Sequence, residues 1–167
     1  MHHKIDMTMA EARIETIKQT EEIGLFTIRF EGDSVTEFEK FANKFRGNAK
    51  RQADLQMILN TLNRMLENGA ALERYFRPEG KMRDNVVALP TYRTSLRLYC
   101  LRMSDSVLIV GNGGEKNTKT YEESAELNGY VISLQKLDEL LKQDIANGSV
   151  VIEKATIVGT DEKTFDI

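Results

Sequence analysis

Ser95-Leu96-Arg97-Leu98-Tyr99-Cys100-Leu101-Arg102, Met103-Ser104-Asp105-Ser106 and Val107-Leu108-Ile109-Val110 follow one another without interruption, and the fold turns on them. Leu96, Leu98 and Cys100 alternate with Arg97, Tyr99 and Leu101, which is the two-residue period of a strand with two different faces. Ser104-Asp105-Ser106 predicts a hairpin turn. Val107 to Val110 is wholly apolar and predicts a strand covered on both faces. Gly111-Asn112-Gly113-Gly114 predicts a break in which the glycines take positive φ. It follows a strand, as a phosphate loop would, but lacks the GxxxxGK[ST] spacing.

Upstream, Arg77-Pro78-Glu79-Gly80 predicts a turn, and Val86 to Leu89 a short strand ending at Pro90. Ser34 stands as an N-cap with Glu37 three residues later. Val35, Phe38, Phe41, Ala42 and Phe45 then share a helical face, and Gly47-Asn48 stops the helix. A second stripe, Leu55, Ile58, Leu59, Leu62, Met65 and Leu66, closes at Asn68-Gly69. Two amphipathic helices with a short connection make an antiparallel helical hairpin. Before it, residues 25–30 read as a strand. Residues 8–23 read as a short helix, with Ala10, Ile14 and Ile17 at helical spacing. Downstream, residues 127–130 predict a turn. Ser133 caps a helix to about Ile145, and residues 150–158 predict a last strand.

The expected fold class is therefore α+β: an N-terminal strand, an α-helical hairpin, then a compact antiparallel sheet with a C-terminal helix and an extra strand. The expected organisation is a helical extension over residues 1–24 and the main domain over 25–146. Residues 147–167 form an extension with one strand, packed on the same domain.

The 167 residues, 41% apolar and 29% charged, suit one domain with a real core. No apolar run reaches the length of a membrane helix, and a cytoplasmic protein without membrane contact is expected. The lone Cys100 makes no internal disulfide and has no neighbouring His to activate it. His2 and His3 are the only histidines, which argues against a Ser-His-Asp hydrolase or a His/Cys metal centre; no metal and no cofactor are expected.

The net charge of −3 hides a gradient. Residues 74–119 carry nine Lys/Arg against four Asp/Glu, a local +5, whereas residues 120–167 carry four against ten. Such a block is either a solvated face or a surface for a polyanion. Arg97 shares its strand face with Ser95, Tyr99 and Leu101, and Arg93 extends that face. Arg102 is five residues from Arg97, an odd spacing that places it on the opposite face. Lys116, Lys119 and Tyr121 follow the glycines and can return beside the strand. Arg supplies a bidentate fork for phosphate and Lys a point charge. The set suits metal-independent RNA cleavage, in which the 2′-hydroxyl attacks the adjacent phosphorus, cations stabilise the phosphoryl oxygens, and a Lys or Tyr moves a proton.

The strand from Ser95 to Arg102, the apolar strand from Val107 to Val110 and the following Gly-Asn-Gly-Gly-Glu-Lys-Asn-Thr-Lys-Thr, within the order strand, helical hairpin, antiparallel sheet, resemble the RelE/HigB superfamily of toxin ribonucleases. The resemblance spans residues 25–141. It implies a toxin of a toxin–antitoxin pair that cleaves messenger RNA on the ribosome and is neutralised by an antitoxin protein, expected to be a small helix-turn-helix protein. Arg97, Lys116 and Lys119 match the phosphate-holding cations, with Tyr121 a weaker match to a terminal aromatic or acid–base residue. Arg93, Arg102, Lys81 and Arg83 are the expected additional RNA contacts. The chain departs from the pattern in its length, its acidic charge, Glu115 before Lys116, and Gly113-Gly114. Two other readings stay open: a diverged non-catalytic module that binds a peptide or a second copy of itself, and a sequence-independent RNA binder.

Overall fold

A computed structural model of the chain describes residues 10–79, 84–92 and 94–167. Nine strands and three α-helices make up the described part. The strands are β1 (Glu11–Gln19), β2 (Gly24–Phe30), β3 (Arg77–Pro78), β4 (Val86–Leu89), β5 (Leu96–Arg102), β6 (Val107–Glu115), β7 (Val151–Glu153), β8 (Thr156–Val158) and β9 (Phe165–Asp166). The helices are α1 (Glu37–Phe45), α2 (Gln52–Asn68) and α3 (Ala125–Ala146). One seven-stranded sheet runs β3-β4-β5-β6-β2-β1-β9, and β7-β8 form a separate hairpin. The α+β class is as expected, and β4, β5 and β6 form the antiparallel meander. The sheet as a whole is mixed, because β2 lies parallel to β6.

The alternation on β5 sorts the core into two layers. Leu96, Leu98 and Cys100, with Leu108 and Val110 of β6, face α1 and α2 through Phe41, Phe45, Leu55, Ile58, Leu62 and Met65. Tyr99 and Leu101, with Val107 and Ile109, face α3 through Leu127, Val131, Leu134, Leu137 and Leu141. Both faces of β6 are therefore covered, as four consecutive apolar residues require. Each fully buried Leu or Ile contributes about 1.5–3 kcal/mol of transfer free energy.

The N-terminal segment is a correction. Residues 11–19 form β1, antiparallel to β2 from Ala12↔Phe30 to Gln19↔Gly24, where a helix was expected. Ile14, Thr16 and Ile17 are β-branched, and only Ala12 of the strand is fully buried, so no helical stripe exists to be covered. The Arg29 guanidinium grips both Glu15 oxygens at 2.6 and 3.1 Å and secures the pairing. The turn into β2 is closed by the Thr20 hydroxyl, which accepts from Glu22 N and Ile23 N.

Three further boundaries move. The capping box of α1 is Thr36 with Glu39, not Ser34 with Glu37: Thr36 Oγ1 accepts from Glu39 N, and Glu39 Oε1 from Thr36 N. Residues 127–130 are not a turn. Ser124 caps α3, and Leu127 and Val131 extend the inward stripe of Leu134, Leu137 and Leu141, so packing overrides the Asn128-Gly129 signal. The C-terminal extension carries a two-strand hairpin, β7-β8, and the edge strand β9 on β1, rather than one strand.

The glycine run is the most consequential difference. β6 continues through Gly111, Asn112, Gly113 and Gly114 to Glu115, and none of these glycines has positive φ. The run absorbs a bulge: pairing passes from Leu98↔Gly113 to Cys100↔Val110, so β6 spends one residue more than β5. The Gly113 Cα sits so close to β5 that an added Cβ would lie 1.8 Å from the Arg97 carbonyl oxygen. These glycines serve close backbone approach, and the phosphate-loop reading of them falls away.

Candidate functional site

Arg97, Tyr99 and Leu101 point to the α3 side of β5, while Arg102 points to the other. The odd spacing was read correctly, and it separates the two arginines. Arg102 Nε donates to Ala71 O at 2.8 Å, and its Nη2 pairs with Asp105. It thus ties the β5–β6 turn to the chain after α2, and it does not join the Arg97 group. Arg93, Lys81 and Arg83 lie outside the described residues.

Around Arg97 the structure gathers side chains from four segments. Arg97 as a residue is only 7% exposed. Its Nη1 donates to Thr94 O at 2.5 Å and Leu96 O at 2.8 Å. These bonds anchor one corner of the fork, while Nε is buried and has no hydrogen-bond partner among the described residues. Two residues on, the Tyr99 hydroxyl is also buried and has no hydrogen-bond partner among the described residues. Two orphaned polar atoms side by side on one strand face are uncommon, because each costs about 1–3 kcal/mol.

The surroundings are ionisable. Burial holds the Glu79 carboxyl above the usual carboxylate range, opposed by the charges of Arg97, Arg77 and Lys116. Burial, and then Arg77, pull the Arg97 guanidinium below its ordinary value, while Tyr99 and Glu79 oppose that shift. Burial likewise drives the Tyr99 phenol far up, so it is a neutral donor at any physiological pH. Tyr121 lies in a 3-10 turn, Tyr121–Glu123, with its ring edge-to-face on Tyr99 at 6.3 Å between centroids. Burial raises its phenol too, followed by Glu122 and Glu79.

Lys116 reaches the group through its charge, but its ammonium is committed: it donates to Thr118 O at 2.9 Å and Lys119 O at 2.7 Å, closing the loop after β6. Lys116 N also bonds Ser95 O at 2.6 Å, which registers that loop against the start of β5. Lys119 is exposed, and only its carbonyl takes part in this arrangement. Of the expected catalytic set, Arg97, Lys116 and Tyr121 are brought together, and Lys119 lies at the margin.

Arg77 and Glu79 were missed in the sequence because Arg-Pro-Glu-Gly reads as a turn. The short β3 pairs Arg77↔Ala88 and Pro78↔Val87, which carries that turn alongside β4. Arg77 is held by the carbonyls of Pro90, Thr91 and Tyr92 at 2.8–3.0 Å.

No family model, no curated protein and no solved structure matches this chain. The chemistry of the site therefore carries the functional argument. Among the described residues no group of three His, Cys, Asp or Glu side chains could hold a metal ion, and no helix is long and apolar enough to cross a membrane. Cys100 is fully buried, with its thiol pushed far up by desolvation, so it is a core residue rather than a nucleophile.

One consequence concerns stability alone. Tyr99→Phe removes an orphaned hydroxyl and nothing else, so the variant should be more stable than wild type by about 1 kcal/mol. Urea denaturation measures this directly. A destabilised variant would mean that the hydroxyl has a partner in solution.

Proposed function

We propose that this protein is a RelE/HigB-like toxin ribonuclease that cleaves messenger RNA in the cytoplasm, with the ribosome as its working place and a small antitoxin protein as its neutralising partner. The supporting observation is the buried, partly unbonded Arg97 fork beside a carboxyl, Glu79, that burial holds above its ordinary range. Orphaned polar groups and perturbed acids cluster where a ligand completes the site.

The reaction is an in-line transfer. Glu79 takes the proton of the RNA 2′-hydroxyl as its oxygen forms a bond to phosphorus, and the bond from phosphorus to the 5′ oxygen breaks. Arg97 and Arg77 hold the phosphoryl oxygens as charge builds on them. Tyr121, neutral at pH 7, returns a proton to the departing 5′ oxygen. Lys116 adds positive charge and holds the loop that presents Tyr121.

The pH profile follows from the direction of the Glu79 shift. A base must be ionised, so cleavage falls as pH drops through the Glu79 midpoint, which lies above the usual carboxylate range. The profile should rise from acid toward neutral pH, and Glu79→Gln should flatten that limb along with the rate. A wild-type rate that is flat through this range removes Glu79 from the role.

The test of the whole reading is purified protein on a short single-stranded RNA, with 5′-end mapping of messenger RNA after induced expression. Cleavage that disappears when the 2′-hydroxyl is replaced by hydrogen supports the reading. Intact RNA with wild-type protein in both formats overturns it. In that event the non-catalytic binding module is favoured by a separate observation: among the described residues β9 pairs with β1 only at Glu11 and Ala12, and no other strand pairs with that edge from Arg13 to Lys18, where a strand could be added.

A further inference from the structure

Asp138 is the one charged side chain among the buried residues of α3, and it is 2% exposed. Its neighbours on that helix, Leu134, Leu137 and Leu141, are core residues, so a carboxylate there needs compensating donors. Asn85, 53 residues earlier in the chain, supplies two of them. Asn85 N donates to Oδ2 at 3.0 Å and Asn85 Nδ2 to Oδ1 at 2.9 Å, so the carboxylate grips a single residue with both oxygens. Lys142 Nζ, one helical turn on, lies 3.1 Å from Oδ2 and balances the charge.

The grip holds the start of β4. Asn85 O accepts from Arg102 N at 3.0 Å, which ties the same residue to the end of β5. One residue earlier, α3 makes a second bond: Gln135 Nε2 donates to Asp84 Oδ2 at 3.0 Å, while Asp84 Oδ1 accepts from Val86 N. One residue later, Val86 O accepts from Glu79 N at 3.2 Å, where β3 and β4 pair through Pro78↔Val87 and Arg77↔Ala88. A short path thus runs from Asp138 through Asn85 and Val86 to the backbone of Glu79. β3 is a two-residue strand at the edge of the sheet, so its position follows that of β4.

The surroundings of Glu79 separate position from charge. Burial raises its carboxyl, and the charges that oppose the shift are those of Arg97, Arg77 and Lys116; Asp138 is not among them. Tyr99 and Tyr121 face the same carboxyl and feel its charge. Asp138 therefore reaches Glu79 through the chain it holds, not through its own field.

We infer that Asp138 is a positioning residue for Glu79: through Asn85 it fixes the β3–β4 pair against α3, and so sets how deeply the Glu79 carboxyl is buried beside Arg97. The inference rests on the role proposed for Glu79 in cleavage. Asp138→Asn leaves one acceptor and one donor where two acceptors stood, so one of the two Asn85 donors loses its partner. The Glu79 carboxyl, followed by carboxyl-carbon NMR through a pH titration of the full chain, should then titrate closer to the usual carboxylate range as water reaches it. A base must be ionised, so the acid limb of the cleavage profile should move to lower pH, while kcat falls about tenfold or more because the base is misplaced. Asn85→Ala keeps the backbone bond and should move both readouts the same way by less; it decides the matter if Asp138→Asn does not fold. Asp144→Asn is the control. It removes another carboxylate of α3, paired with Lys163 at 2.9 Å, and should leave the Glu79 titration where it was. A Glu79 midpoint that is unchanged or raised in these two variants, or lowered equally by Asp144→Asn, overturns the inference. RNA left intact by the wild-type protein overturns the proposed cleavage instead, and the carboxyl titration still decides the link from Asp138 to Glu79.

Discussion

Gly113→Ala should destabilise the protein by about 3 kcal/mol or more, the largest single effect expected of so small a substitution. A Cβ at this position would lie 1.8 Å from the Arg97 carbonyl oxygen and 2.8 Å from its carbonyl carbon. The obstacle is the backbone of the neighbouring strand, not the end of a flexible side chain. The clash can be relieved only by parting β5 from β6 at the bulge, where Arg97↔Gly114 and Leu98↔Gly113 pair. Parting them also disturbs Lys44, whose ammonium donates to Gly113 O at 2.5 Å and so links α1 to the bulge. Gly32→Ala is the natural comparison. Its φ of 89° is unfavourable to alanine, but open space surrounds it, so only about 1 kcal/mol is expected. Urea denaturation of the two variants separates close approach from backbone conformation. Equal losses would show that the bulge relaxes freely.

Arg97→Met should reduce the proposed RNA cleavage by about a hundredfold or more while leaving the protein as stable as wild type, or up to about 2 kcal/mol more stable. Arg97 is 7% exposed, and among the described residues no carboxylate lies within ion-pair distance of its guanidinium. Arg77 repels it, and burial opposes its charge. Against these costs stand two hydrogen bonds from Nη1 to Thr94 O and Leu96 O. Methionine keeps most of the apolar stem and removes the buried charge. A residue that weakens the fold yet is needed for activity identifies a site built for its ligand. Unchanged cleavage would remove Arg97 from the reaction. Severe unfolding would mark it instead as a structural cation that staples the start of β5.

These two residues also show what was legible in the sequence. The strand carrying Arg97 and the opposite facing of Arg102 follow from a two-residue period, which is local geometry. The helical hairpin was equally readable, because each of its helices has a continuous apolar stripe and a glycine stop. Gly113 was misread because a glycine tolerating positive φ and a glycine tolerating a neighbouring backbone have the same letter. Only the register of β5 against β6 distinguishes them. Residues 11–19 were misread because their spacing admits a helix, and the competing partner, β2, is recognised only once the pairing with Phe30 through Gly24 exists. Glu79 was invisible as an acid because its shift arises from burial beside β4, which outweighs the opposing charges of Arg97, Arg77 and Lys116.

By itself, the sequence determined the α+β class, the two-faced strand that aims Arg97 and Arg102 apart, and the fully covered strand from Val107 to Val110. Each depends on periodicity within a few residues. The tertiary structure decided the parallel pairing of β2 with β6, the passage of β6 through its glycines, and the meeting of Arg77, Glu79, Arg97, Tyr99 and Tyr121. Those outcomes rest on burial and on contacts between distant segments. Desolvation changes the ionisation of a side chain only after other elements have excluded water from it.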